Sequence, residues 1–167
     1  MNTKTKKIVM AALLAALTCA ATMIIKIPSP LKGYINIGDC VVLVSGWLLS
    51  PVWGFLAAGF GSALADVFSG YIIYGPATFL IKGLMAFVAF YGFKLLHNKC
   101  GNLISRMISG IAAEIVMIVG YFVFEGCLYG FGPAVVNIPA NAIQGVAGIL
   151  IGIVLVKCFE KSKINMK

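Results

Sequence analysis

The chain has 167 residues, 61% of them apolar and 11% charged, where an average soluble domain carries about 25% Asp, Glu, Lys and Arg. A water-soluble globule is excluded. A nucleic-acid binder is excluded as well, because the net charge of +8 lies between long apolar runs and not in a basic patch on a polar surface. The length allows one membrane domain, residues 1–167, of about six spans at ~20 apolar residues each.

Six apolar segments follow in chain order, at residues 7–25, 37–49, 52–70, 77–96, 103–124 and 138–159. The first, preceded by Lys4, Lys6 and Lys7, has the outline of a signal peptide but is span-length. Ala16-Leu17-Thr18-Cys19 lacks the Leu and small residue of a lipoprotein signal. It reads as a retained helix, with a cleaved signal as the alternative. Turn chemistry separates the segments at Pro28-Ser29-Pro30, Ser50-Pro51, Gly75-Pro76, Lys99-Cys100-Gly101-Asn102 and Gly130-Phe131-Gly132-Pro133. The second segment is short, and the distribution of basic residues decides how to treat it. Lys4, Lys6 and Lys7, then Lys94, Lys99 and Arg106, then Lys157, Lys161, Lys163 and Lys167 share one side of a bilayer only if a break at Ser50-Pro51 makes residues 37–49 a separate crossing. The expected fold is therefore an all-α, polytopic bundle of six transmembrane helices. Both termini are cytoplasmic in this reading, with basic tails at residues 1–7 and 157–167, and Lys26 and Lys32 lie outside.

Charge inside a span is expensive, on the order of 3 kcal/mol, so such groups face a partner or a cavity. Asp66, Lys82 and Glu114 are the cases here, while Asp39 and Glu125 fall near outer span ends. Counting ~1.5 Å of rise per residue puts Asp66 and Lys82 at similar depth on consecutive antiparallel spans. They read either as a structural ion pair or as ligand contacts. Glu114, deeper, reads as a packing or conformational element. Polar side chains share helical faces: Asn137, Asn141 and Gln144 on the sixth helix, Tyr121 and Glu125 with Glu114 on the fifth, Thr78 and Lys82 on the fourth. Nearly all fall in the outer half. With Tyr34, Tyr74 and Tyr121 they outline an outward pocket able to stack a planar ligand, interhelical hydrogen bonding being the alternative for Asn141 and Gln144. Tyr71 and Tyr129 read as interfacial belt residues.

Ala11, Ala12, Ala15 and Ala16 on the first helix, and Gly148 and Gly152 on the sixth, form stripes of small residues. Such stripes let helices approach closely. Five scattered cysteines without a CxxC pair and a lone His97 suggest neither disulfides nor a metal site. No phosphate-binding loop and no catalytic motif occurs, so the chain does not hydrolyse ATP itself and no cofactor is expected.

Several stretches resemble the substrate-binding S component of energy-coupling factor (ECF) vitamin transporters, riboflavin-type group. They are the alanines of the first helix, Ala65-Asp66-Val67-Phe68-Ser69-Gly70, Pro76-Ala77-Thr78-Phe79 with Lys82-Gly83, Gly120-Tyr121-Phe122 with Glu125, and Pro139-Ala140-Asn141-Ala142-Ile143-Gln144. The resemblance implies a cell-membrane protein that is not an enzyme and that captures a vitamin or precursor from outside. It implies a site at Asn36, Tyr74, Thr78, Lys82, Tyr121, Glu125, Asn141 and Gln144. It also implies docking of Ala11, Ala12, Ala15 and Ala16 on a membrane-spanning T component that carries two ATPase subunits. The short connection before Asp39, with Tyr34 as its aromatic, suits a ring such as hydroxymethylpyrimidine or pyridoxine better than riboflavin. A small membrane enzyme acting on a lipid-linked substrate and a structural membrane subunit are the rival readings.

Overall fold

The computed structural model describes residues 3–29 and 34–161; Lys32, Lys163 and Lys167, and with them parts of both basic tails, lie outside the described residues. The order is α1 (Thr3–Ile24), β1 (Lys26–Pro28), β2 (Tyr34–Asn36), α2 (Asp39–Leu48), α3 (Pro51–Phe68), α4 (Gly75–Tyr129), α5 (Phe131–Ala134), a 3-10 turn (Val135–Asn137) and α6 (Ile138–Lys161). The fold is mostly helical, as the apolar periodicity predicts.

The 55-residue α4 is two antiparallel limbs joined at Gly101, whose φ of 72° and ψ of 171° break the helix. A side chain resists that left-handed φ, and glycine does not. Contacts between the limbs run in reverse register: Gly92 faces Ser109, and Gly120 faces Ile81. The Lys99-Cys100-Gly101-Asn102 turn read from the sequence is this joint.

Four helices among the described residues are long and apolar enough to cross a membrane, α4 being the one that doubles back. Residues 37–49 behave differently from a full span. Their helix, α2, has ten residues, about 15 Å at 1.5 Å per residue, or half of a hydrocarbon core. Asp39 through Trp47 are all buried, so α2 is a central helix packed on all sides, chiefly by α6, α4 and α3. The β1–β2 ribbon, paired Lys26 to Asn36 and Pro28 to Tyr34, leads the chain from α1 to this buried start. Around α2 the outer helices turn Ile8, Leu13, Phe60, Leu64, Leu80, Ile108, Ile115, Leu150 and Val154 outward. That apolar belt is what an integral membrane protein presents to lipid.

Small residues decide the packing. A Cβ on Gly61 would lie 2.4 Å from the Ala15 carbonyl oxygen, so α1 and α3 touch backbone to backbone there. Gly148 packs on Asp39 and Gly152 on the Cys40 carbonyl. The α1 alanines, in contrast, do not form one surface. Ala11 is buried, Ala15 is half-buried with its carbonyl against Gly61 of α3, and Ala12 and Ala16 are exposed. Of the four alanines expected at a docking surface, Ala11 is buried within the bundle, and Ala12 and Ala16 are the exposed ones.

Candidate ligand site

Alternation of helix direction brings the end of α3, the start and end of α4 and the start of α6 to one end of the bundle, where the ribbon also lies. These ends enclose a cleft lined by Ser29, Tyr34, Asn36, Asp66, Tyr71, Tyr74, Thr78, Tyr121, Glu125, Asn137, Asn141 and Gln144. Seven of the eight residues selected from the sequence are in this lining, and Lys82 is not.

Three polar clusters organise the walls. On one side the Tyr34 hydroxyl donates to Asp66 Oδ1 at 2.7 Å, and the Tyr34 and Tyr71 rings lie 5.1 Å apart. Burial, then the neighbouring Asp66 carboxylate, pushes the Tyr34 phenol well above its ordinary pKa. On the opposite wall Asn137 Nδ2 donates to both oxygens of Glu125, at 2.9 and 3.0 Å, and the Tyr74 hydroxyl donates to Glu125 Oε1 at 3.5 Å. Between them Thr78 Oγ1 and the Tyr121 hydroxyl are 3.0 Å apart.

The floor is a chain of buried polar groups. The Asn36 backbone N–H donates to Gln144 Oε1 at 2.8 Å, Gln144 Nε2 donates to Asp39 Oδ2 at 2.6 Å, and Asp39 Oδ1 is ion-paired with Lys82. The Asp66–Lys82 pair expected from depth counting is therefore corrected: the partner of Lys82 is Asp39. Asp39, in contrast, is expected from the sequence near the outer end of its span. Because α2 is short and starts inside the bundle, Asp39 is completely buried and meets Lys82, while Asp66 is taken by Tyr34 from the ribbon. Lys82 Nζ sits 5.5 Å from the Tyr121 ring centroid, behind the wall and not in the cleft.

Sequence reasoning missed Asp39 as a core residue, took Tyr71 for a belt residue, and left Asn137 out of the site although it shares a helical face with Asn141 and Gln144. The signal for Asp39 was present. Cys40-Val41-Val42-Leu43-Val44 is an apolar run with no polar face directly after Asp39, the pattern of a helix packed on all sides. Glu114 is buried against Gly145 and Gly148, with neither carboxyl oxygen hydrogen-bonded among the described residues. At the far end Arg106, read as a cytoplasmic marker, is buried and bonded to Glu160 at 2.6 Å.

Known proteins account for this architecture. The family described as ECF-type riboflavin transporter, S component, matches residues 2–161. An uncharacterized protein from the gap 3′ region of Pyrococcus woesei is 37% identical over 132 residues, 78% of this chain and 86% of that one. The thiamine precursor transporter HmpT of Lactococcus lactis is 24% identical over 165 residues, 98% and 93% of the two chains. Among solved structures, the S component of a bacterial ECF transporter superposes with a TM-score of 0.75 at 23% identity, over 97% of this chain and 99% of that one. The biotin S component of an ECF-type ABC transporter gives 0.65 at 18% identity, over 94% and 92%. Both neighbours share the fold. The chain belongs to the ECF-type riboflavin transporter S component family and is a membrane-embedded substrate-binding subunit of an importer, not an enzyme.

Proposed function

We propose that the cleft captures a small, planar vitamin or vitamin precursor from outside the cell and performs no chemistry on it. The observation that carries this reading is the convergence of tyrosines, asparagines and two carboxylates from four helix ends and a ribbon on one open cleft, an arrangement that can stack a ring and bond its edges. In this reading Asn141, Gln144 and Glu125 bond ring substituents, and Tyr74 or Tyr121 stacks. Asn36 and Thr78 complete the wall, and Lys82 acts from behind it. The similarity to a thiamine precursor transporter and the short ribbon favour a ring of hydroxymethylpyrimidine size, with pyridoxine and riboflavin as the other members of the class.

The topology of the proposal has six crossings in a single membrane domain, the second made by the short α2 together with the ribbon that leads into it, with both termini in the cytoplasm. Support comes from the basic residues: Lys4, Lys6, Lys7, Lys94, Lys99, Lys157 and Lys161 are exposed at the bundle end opposite the cleft, as the positive-inside rule requires. Cargo would pass inward with a T component and two ATPase subunits, and the outward Ala12 and Ala16 would form the docking stripe on α1. The test is direct. Purified protein should bind hydroxymethylpyrimidine without ATP, and Asn141→Ala should remove that binding. Ala12→Trp with Ala16→Trp should prevent co-purification with the T component and ATPases while sparing binding. Intact assembly of the double variant would move the interface elsewhere, and unchanged binding by Asn141→Ala would sink the site assignment.

A further inference from the structure

We propose that the cleft sorts ligands by charge: it takes a neutral or cationic heterocycle rich in hydrogen-bond donors and rejects anions, phosphorylated vitamins among them. This rests on reading the cleft as the ligand site. The charge inventory is one-sided. Asp66 and Glu125 line the cleft, and among the described residues no Lys, Arg or His does. Lys82, the cation lying behind the wall, has its side chain almost wholly buried and is committed to Asp39. Lys26 stands at the rim, exposed, 5.7 Å from the Tyr34 ring centroid and bonded to Ser69 at 2.9 Å, where water and salt screen it.

Helix ends do not correct the imbalance. The carboxyl ends of α3 and α4 bring partial negative charge to the cleft and the amino ends of α4 and α6 bring partial positive charge, so the macrodipoles oppose one another. The hydrogen-bond roles point the same way. Asp66 accepts from Tyr34 and Glu125 from Asn137, so both act as acceptors. An ionised carboxyl has about four lone-pair positions, and the remaining ones are best matched by ring N–H, amino or hydroxyl groups of a ligand. A phosphate would bring only acceptors and further negative charge against these two carboxylates.

The test uses purified, ligand-stripped full-length protein and three matched pairs: hydroxymethylpyrimidine, pyridoxine and riboflavin, each with its phosphate ester. The acetate ester of the same hydroxyl controls for size. The expected result is that the neutral member of at least one pair binds, its acetate ester binds within about tenfold, and its phosphate ester binds at least 100-fold more weakly. Glu125→Gln, or Asp66→Asn if the first variant does not fold, should narrow the phosphate penalty at least tenfold. A phosphate ester bound within threefold of its parent, or a penalty unmoved in the variant that folds, overturns the proposal. Failure of all three neutral compounds overturns it too. Co-purification with the T component and ATPases then shows separately whether the transport reading stands.

Discussion

Replacing Lys82 by Met tests the buried pair beneath the cleft. Both partners lie almost wholly out of water, Asp39 at 0% and Lys82 at 3% exposure. Removing the ammonium leaves the Asp39 carboxylate with the Gln144 amide, at 2.6 Å, as its side-chain donor. Breaking a buried ion pair from one side costs about 3–5 kcal/mol. The surviving charge-assisted bond to Gln144 places the loss near the lower end, about 3 kcal/mol. For a chain of this size each kcal/mol lowers Tm by about 2–4 °C, so Lys82→Met should unfold about 6–12 °C lower than wild type in detergent, followed by tryptophan fluorescence. Adding Asp39→Asn removes the stranded charge while an amide oxygen still accepts from Gln144, and Tm should return to within about 2–4 °C of wild type. Asp66→Asn in place of Asp39→Asn should not rescue. Ligand affinity should follow the same pattern, because Asp39 orients Gln144, which in turn holds Asn36 of the ribbon. Rescue by Asp66→Asn instead of Asp39→Asn, or a Tm shift below about 2 °C for Lys82→Met, would refute the assignment.

Two further outcomes are expected. Gly61→Ala should cost about 1–3 kcal/mol by forcing α1 away from α3, whereas Gly132→Ala, with nothing within 4 Å of the new methyl, should stay within about 0.5 kcal/mol; thermal unfolding of the two side by side checks it, and equal shifts would refute the packing argument. The folded-state pKa of Tyr34 is raised, so its contribution to stability is full below the unfolded value of about 10 and declines as pH rises beyond it. Between pH 8 and 11 wild-type Tm should therefore fall more steeply than that of Tyr34→Phe, the difference being at most about 1 kcal/mol after allowing for the partial exposure of the ring; parallel profiles would contradict the upward shift that burial and the Asp66 carboxylate impose on the phenol.

The sequence by itself determined the membrane setting, the positions of the long helices, the reversal at Lys99-Cys100-Gly101-Asn102 and most of the cleft lining. Each depends on a local property: an apolar run, a glycine, or polar residues three, four or seven apart on one helix face. The family resemblance was legible for the same reason, in short contiguous stretches such as Pro139-Ala140-Asn141-Ala142-Ile143-Gln144. Only the tertiary structure decided which charges meet. Asp39 pairs with Lys82 and Asp66 with Tyr34 because α2 starts inside the bundle, and the depth of a helix start is set by the elements packed around it and not by the residues at its end. The same holds for α1, whose four alanines share a spacing but not an environment: Ala11 is buried in the bundle while Ala12 and Ala16 are exposed. Periodicity reports which residues share a helix face, and packing decides what that face meets.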